Sequence, residues 1–149
     1  MDALKKLSGT LNPSPQMPVL FVGHGNPLNA LLDNDITRMW STVGAGLPRA
    51  QAIVVISAHW LTYGTHVTDA PKQKIIYDFY GFPEQLYQVP YDASGDPAVA
   101  KVLQKQLLAY EAKLDSTWGL DHGTWSVLKH LAPEPKVPVL QISLDMNQS

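Results

Sequence analysis

The chain has 149 residues, of which 45% are hydrophobic and 16% charged, and its formal net charge is −2. Such a chain is long and apolar enough for one folded domain, which excludes disorder, and its charge excludes an electrostatic hold on nucleic acid or an anionic membrane. It contains no cysteine, so disulfides and thiolate-bound zinc or iron–sulfur sites are excluded, a reducing, cytoplasmic setting is expected, and any metal must be held by His, Asp or Glu.

The first stretch, MDALKKLSGTLNPSPQ, has no long apolar core. Neither a signal peptide nor a membrane anchor is expected there, and residues 1–16 read as a flexible arm ahead of a fold spanning 17–149. MPVLFVG (17–23) is a continuous apolar run ended by glycine and predicts a buried strand. Over 34–46 the apolar residues Ile36, Met39, Trp40 and Val43 fall at helical spacing, with Asn34 or Asp35 able to cap the start and Gly44 and Gly46 the end. QAIVVIS (51–57) predicts a second buried strand. Strand, helix, strand, with both strands apolar throughout, is the pattern of a mostly parallel sheet covered by helices: a three-layer α/β fold.

Residues 61–95 are rich in turn formers and aromatics and predict a short strand near 65–69 followed by a long irregular excursion. A helix is expected over 96–112, with Asp96 as its cap and Pro97 in its first position. A shorter helix, capped by Thr124, is expected over 124–132, and a third parallel-type strand over 136–145. No helix follows that last strand, so it is expected to lie uncovered on one side.

Five histidines punctuate this pattern. His24, in GHGNP, follows the first predicted strand, and His59, in SAHW, follows the second. In open α/β sheets the ligand crevice lies outside the carboxyl ends of the strands, so both imidazoles are expected at one rim. Imidazole is the usual ligand of zinc and iron where no thiolate is present. His122, in LDHGTW, precedes a helix. Glycines 23, 25 and 123 flank these residues and permit sharp turns or close approach. A lone strand-end histidine is more often a hydrogen-bonded structural residue than a ligand; the pairing at consecutive strand ends brings the two readings level. His66 and His130 have no such setting and read as structural or solvent-facing. IIYDFYGFP reads either as a hydrophobic lid or as the wall of a pocket for a flat substrate.

Together the segments FVGHGNP, RAQAIVVISAHW, IYDFYGFPEQLY, WGLDHGTW and VPVLQISLD resemble, in order, the LigB-like class III extradiol ring-cleavage dioxygenases, and within them the 4,5-DOPA extradiol dioxygenase-like branch. The resemblance runs from about Met17 to the last residue. It implies one mononuclear non-haem metal site, Fe(II) or Zn(II), a small catechol substrate such as DOPA, and O2. Carried over by position, it implies His24 and His59 as metal ligands, His122 as a catalytic histidine contacting substrate or oxygen, and a pocket segment in YDFYGFP. Substrate contacts are expected at Asp121, Tyr77 and Phe79.

The chain departs from that family in one respect. Members continue further, with another histidine in a G-N-x-x-H stretch and a last ligand near the C-terminus, and neither pattern occurs here. The chain is therefore expected to be the N-terminal portion of a single α/β dioxygenase domain, incomplete relative to the family, with its activity in isolation left open. Two other readings use the same residues: a zinc-dependent hydrolase built on the histidine rim, and a degenerate, non-catalytic binding or dimerisation module. A homodimer is compatible with all three.

Overall fold

The computed structural model describes residues 16–148. The arm expected over residues 1–16 therefore lies, apart from Gln16, outside the described residues. Helix α1 (Asp35–Gly46) begins in a capping box: Asn34 Oδ1 accepts from the backbone N–H groups of Ile36 and Thr37, and Thr37 Oγ1 accepts from that of Asn34, each at 3.0 Å. Its predicted apolar stripe is only partly used. Trp40 is buried, whereas Ile36, Met39 and Val43 face solvent, because α1 packs mainly against one α-helix, α3 (His122–Leu131), and a short 3-10 turn at Pro27–Ala30.

Beside three short 3-10 helices, the remaining elements described are β1 (Ile53–Thr62), β2 (His66–Thr68), α2 (Pro97–Gln106), β3 (Lys113–Asp115) and β4 (Val139–Asp145). The four strands form one sheet in the order β1-β4-β2-β3. The β1–β4 and β2–β3 pairs are parallel and β2–β4 is antiparallel, so the sheet is mostly parallel, as expected. Successive residues of β4 point to opposite faces. Val139 packs with Leu86, Trp125 and Leu128 below α3, and Leu140 and Ile142 pack with Val67, Ala100 and Leu103 below α2. Helices thus flank the sheet on both sides, giving the α/β architecture anticipated from the apolar strands.

Several boundaries differ from expectation. Residues 17–23 form no strand: Val19 and Phe21 are 98% and 104% exposed. An apolar run becomes a strand only by joining a ladder, and β1, the natural neighbour, stands at the sheet's edge with nothing bridged to its outer side among the described residues. The expected strand–helix–strand unit is accordingly not closed, and Val54 and Ile56 of β1 are exposed. The third predicted strand, expected to be uncovered, is instead central, with Val139 through Ser143 buried between β1 and β2. The helix expected over 96–112 stops at Gln106. A short 3-10 turn follows, Glu111 adopts a left-handed φ of 48°, and the chain enters the unpredicted β3. Helix α3 begins earlier than expected and is capped by Asp121 rather than Thr124.

Candidate metal centre

Three histidines from three separate elements converge. His59 lies within β1 rather than after it. The β1–β4 register runs to Ile56 opposite Ile142 and resumes at Leu61 opposite Leu144, so residues 57–60 of β1 stand against the single residue 143. This bulge releases His59 from the ladder and leaves it exposed at the rim. His24 sits in an irregular segment, with Gly25 next to it at φ +63°. Its carbonyl accepts from Asn29 Nδ2 at 3.2 Å, and Asn29 Oδ1 in turn accepts from Asn34 Nδ2 at 3.0 Å, which ties the GHGNP turn to the cap of α1. His122 is the first residue of α3 and is 6% exposed.

His24 Nε2 and His59 Nε2 are 2.7 Å apart, within hydrogen-bonding distance, the donor being set by the tautomers of the two rings. The His59 and His122 ring centroids are 4.1 Å apart, and those of His24 and His122 are 5.1 Å apart. One nitrogen from each ring lies within 4.8 Å of the others. The packing depends on Gly123, where a Cβ would fall 2.6 Å from His59 Cδ2 and 3.1 Å from Ser57 Oγ.

Beneath the rings runs a buried polar network. Asp121 is fully buried and accepts from Ser57 Oγ at 2.7 Å and from the Thr124 backbone N–H at 3.2 Å through one oxygen, and from Gln141 Nε2 through the other. Gln141 Oε1 accepts from Thr124 Oγ1 at 2.8 Å. The network fastens the start of α3 to β1 and β4, and because every member is paired it rigidifies the floor of the site. Asp121, expected to contact substrate, thus reaches the cluster only through the residues it holds.

The side wall comes from the aromatic segment. Phe79 meets His122 edge-on, with centroids 5.6 Å apart and planes at 89°, and packs on Phe82 and Tyr87. Tyr77 lies a layer behind: it packs on the buried Trp125 and its hydroxyl donates to the Val89 carbonyl at 2.9 Å. Asp78, between them, turns its carboxylate to His122. Its Oδ1 accepts from the His122 backbone N–H at 2.8 Å and lies 2.9 Å from Nδ1, close but off the line of the ring N–H. Burial opposes ionisation of Asp78, but the bonds from His122 outweigh it and hold the carboxyl below its ordinary range. His24 is pushed below the ordinary histidine range by burial and then by its neighbours His122 and His59.

These features suit a metal. Three imidazoles so crowded cannot all carry charge, and as neutral rings they present nitrogen lone pairs to one small space, the donor set zinc and iron accept. His24, His59 and His122 could therefore hold one ion. His66 and His130 stand apart as expected: His66 Nδ1 faces Asp115 at 3.5 Å, and His130 Nε2 faces the Asn29 carbonyl at 2.8 Å. Sequence reading found the three histidines and missed Asp78, Ser57, Thr124 and Gln141. The available signal was a polar residue interrupting an apolar strand in VVIS and VLQIS, and a lone carboxylate among aromatics in YDFY.

Residues 20–148 match the family model described as the catalytic LigB subunit of aromatic ring-opening dioxygenase. Over 136 residues the chain is 48% identical to a 4,5-DOPA dioxygenase extradiol of Escherichia coli (strain K12), covering 91% of this chain and 50% of that protein. It is 37% identical over 132 residues to a 4,5-DOPA dioxygenase extradiol of Beta vulgaris, covering 83% of this chain and 48% of that one. The crystal structure of an uncharacterized protein from Escherichia coli K12 matches at a TM-score of 0.62 and 41% identity, over 78% of this chain and 43% of that chain. The chain spans about half the length of the curated relatives it matches.

Proposed function

The chain belongs to the family of catalytic LigB subunits of aromatic ring-opening dioxygenases, and from that premise we propose that it carries the histidine-bearing part of an extradiol dioxygenase that opens a catechol ring, such as that of DOPA, with O2. Residues 17–149 are the N-terminal portion of a single α/β domain in this reading. His24 and His59 are ligands of one mononuclear ion, Fe(II) or Zn(II), and His122 is the catalytic histidine. The supporting observation is the meeting of three imidazoles from the GHGNP turn, the β1 bulge and the start of α3, with nitrogens within 4.8 Å.

When bound, either ion would supply Lewis acidity toward the two catechol oxygens, and Fe(II), unlike Zn(II), would also supply a redox centre for dioxygen. The rest is the work of the protein. The shift at His24 keeps a neutral donor available at ordinary pH. His122, at the start of α3, takes a proton from a catechol hydroxyl or returns one to the opening ring. Phe79, backed by Tyr77 and Trp125, gives an apolar face against which a flat ring lies and from which water is excluded. The Asp121–Gln141–Ser57 floor holds α3 and β1 at a constant separation, which keeps His122 and His59 in one geometry. Among the described residues no helix is long and apolar enough to cross a membrane; a cytoplasmic setting belongs to the same reading.

The test is metal content, together with the absorbance change and oxygen uptake that accompany catechol cleavage. Both are measured on this chain and on a protein extended through the region that the relatives carry beyond the match. Bound metal in the extended protein, lost in His24→Ala and His59→Ala, is the expected result. An extended protein that is folded and binds no iron or zinc overturns the proposal.

A further inference from the structure

His122 has two ring nitrogens, and only one can face the cluster with a free lone pair. We infer that Asp78 is a positioning residue that holds hydrogen on His122 Nδ1 and so turns a bare Nε2 toward His24 and His59. The geometry carries this without reference to the metal. One carboxylate oxygen, Asp78 Oδ1, receives the backbone N–H of His122 at 2.8 Å and stands 2.9 Å from its Nδ1. A bare Nδ1 at that distance would leave two electronegative acceptors in contact with no proton near them, although neither its lone pair nor an N–H there points straight at the carboxylate oxygen. The tautomer with Nδ1–H removes that repulsion even though the N–H is not in line. Both contacts come from one residue, so Asp78 restrains the backbone and the ring of His122 together.

The carboxylate is itself held from both sides. Upstream, the Ile76 N–H donates to the Leu120 carbonyl at 2.8 Å, and the Leu120 N–H to the Lys74 carbonyl at 2.9 Å, so the chain before Asp78 is stitched to the residue before Asp121. The Trp125 indole N–H donates to the Ile76 carbonyl at 2.9 Å. Downstream, Phe79 is wedged among Phe82, Tyr87 and His122. Two first-turn N–H groups of α3 reach two different carboxylates, while that of Trp125 goes to the Asp121 carbonyl. Asp78 takes that of His122 and Asp121 that of Thr124. A cap alone would need only the backbone contact; the ring contact is what gives Asp78 a consequence for chemistry.

That consequence, a basic Nε2 aimed where a proton is to move, rests on the proposed function; the tautomer does not. The test is the tautomer of His122 in the metal-free protein, read from long-range nitrogen–proton NMR correlations of the imidazole at about pH 8, above the ordinary histidine range. Hydrogen on Nδ1 is expected in the unsubstituted chain, and hydrogen on Nε2 there overturns the inference outright. Asp78→Ala is expected to move the majority of the population to Nε2–H, and Asp78→Glu to restore much of the Nδ1–H form. If Asp78→Ala does not fold, Asp78→Asn, which keeps shape and a backbone acceptor but loses the charge, is expected to lower the Nδ1–H fraction. An unchanged tautomer in a folded variant overturns the inference. In the extended, metal-loaded protein Asp78→Ala is expected to lower turnover about 10–100-fold. Loss of metal binding in the His24 and His59 variants is scored separately, so failure of the site and failure of the tautomer are told apart.

Discussion

The two sides of the histidine cluster are built on opposite terms. His122 stands on a floor of Asp121, Ser57, Thr124 and Gln141, all buried and mutually paired, with aromatic rings at its side. His24 and His59 stand on the uncovered side. The chain leading to His24 exposes Val19 and Phe21, and the strand carrying His59 is the sheet's edge, with Ile56 62% exposed. The contrast teaches that the site's geometry comes from one wall. A fully paired polar network in a low-dielectric interior has one arrangement, whereas an apolar run without a ladder partner has many.

The buried wall is where breakage should cost most. Asp121→Ala leaves Ser57, the Thr124 N–H and Gln141 without their acceptor, and each orphaned buried group costs about 1–3 kcal/mol. A loss of at least about 3 kcal/mol in denaturant unfolding is expected, and a loss under about 1 kcal/mol would show that the floor is not shared. Gly123→Ala probes the join between the walls. Its new methyl falls on Cδ2 of the exposed His59 ring, a side chain free to swing outward, and presses more lightly on Ser57 Oγ. We expect about 1–3 kcal/mol of destabilisation at most but about a tenfold or greater weakening of zinc binding by titration. Unchanged affinity would mean that His59 binds from another position.

Acidification separates the walls more gently. The folded state holds His24 below its ordinary value of 6.5, so below that pH the unfolded chain takes up a proton that the folded chain resists. Stability should therefore fall as pH drops through about 6.5 and level off below the folded value. His24→Gln should flatten that part of the profile, and a slope that persists in the variant would assign it elsewhere. Asp78 acts in the same direction at lower pH: its depressed value stabilises above the ordinary carboxylate range, and that stabilisation is lost as pH falls through the folded value. The smallest effect belongs to the exposed wall. Phe21→Ser removes a ring that touches little, and unfolding of this chain should move by no more than about 0.5 kcal/mol. A change above about 2 kcal/mol would show that the run is packed after all.

The same division explains what could be read in advance. The β1, β4, α1 and α2 segments were legible because their signals are local: apolar runs, helical spacing, and Asn34 and Asp96 as caps. His24, His59 and His122 were legible because glycines and strand ends mark them within a few residues. Asp78 was not, since its partner lies 44 positions away. Gln141 pairs with Asp121 across 20 positions, and Ser57 with Asp121 across 64. A buried polar residue looks ordinary until its acceptor is known.

The run at 17–23 and the strand at 139–145 mark the limit in both directions. MPVLFVG is the more apolar of the two, since VLQISLD carries Gln141, Ser143 and Asp145, and the amino-acid sequence by itself determined that both favour an extended chain, that no thiolate is present, and that imidazoles fall near predicted strand ends. Only the tertiary structure decided that β4 lies at the centre of the sheet while residues 17–23 lie outside it, and that three rings share one small space. The reason is physical: propensity and spacing act over a few residues, but a ladder, a buried hydrogen bond and a convergent set of ligands each need two distant parts of the chain in the same place.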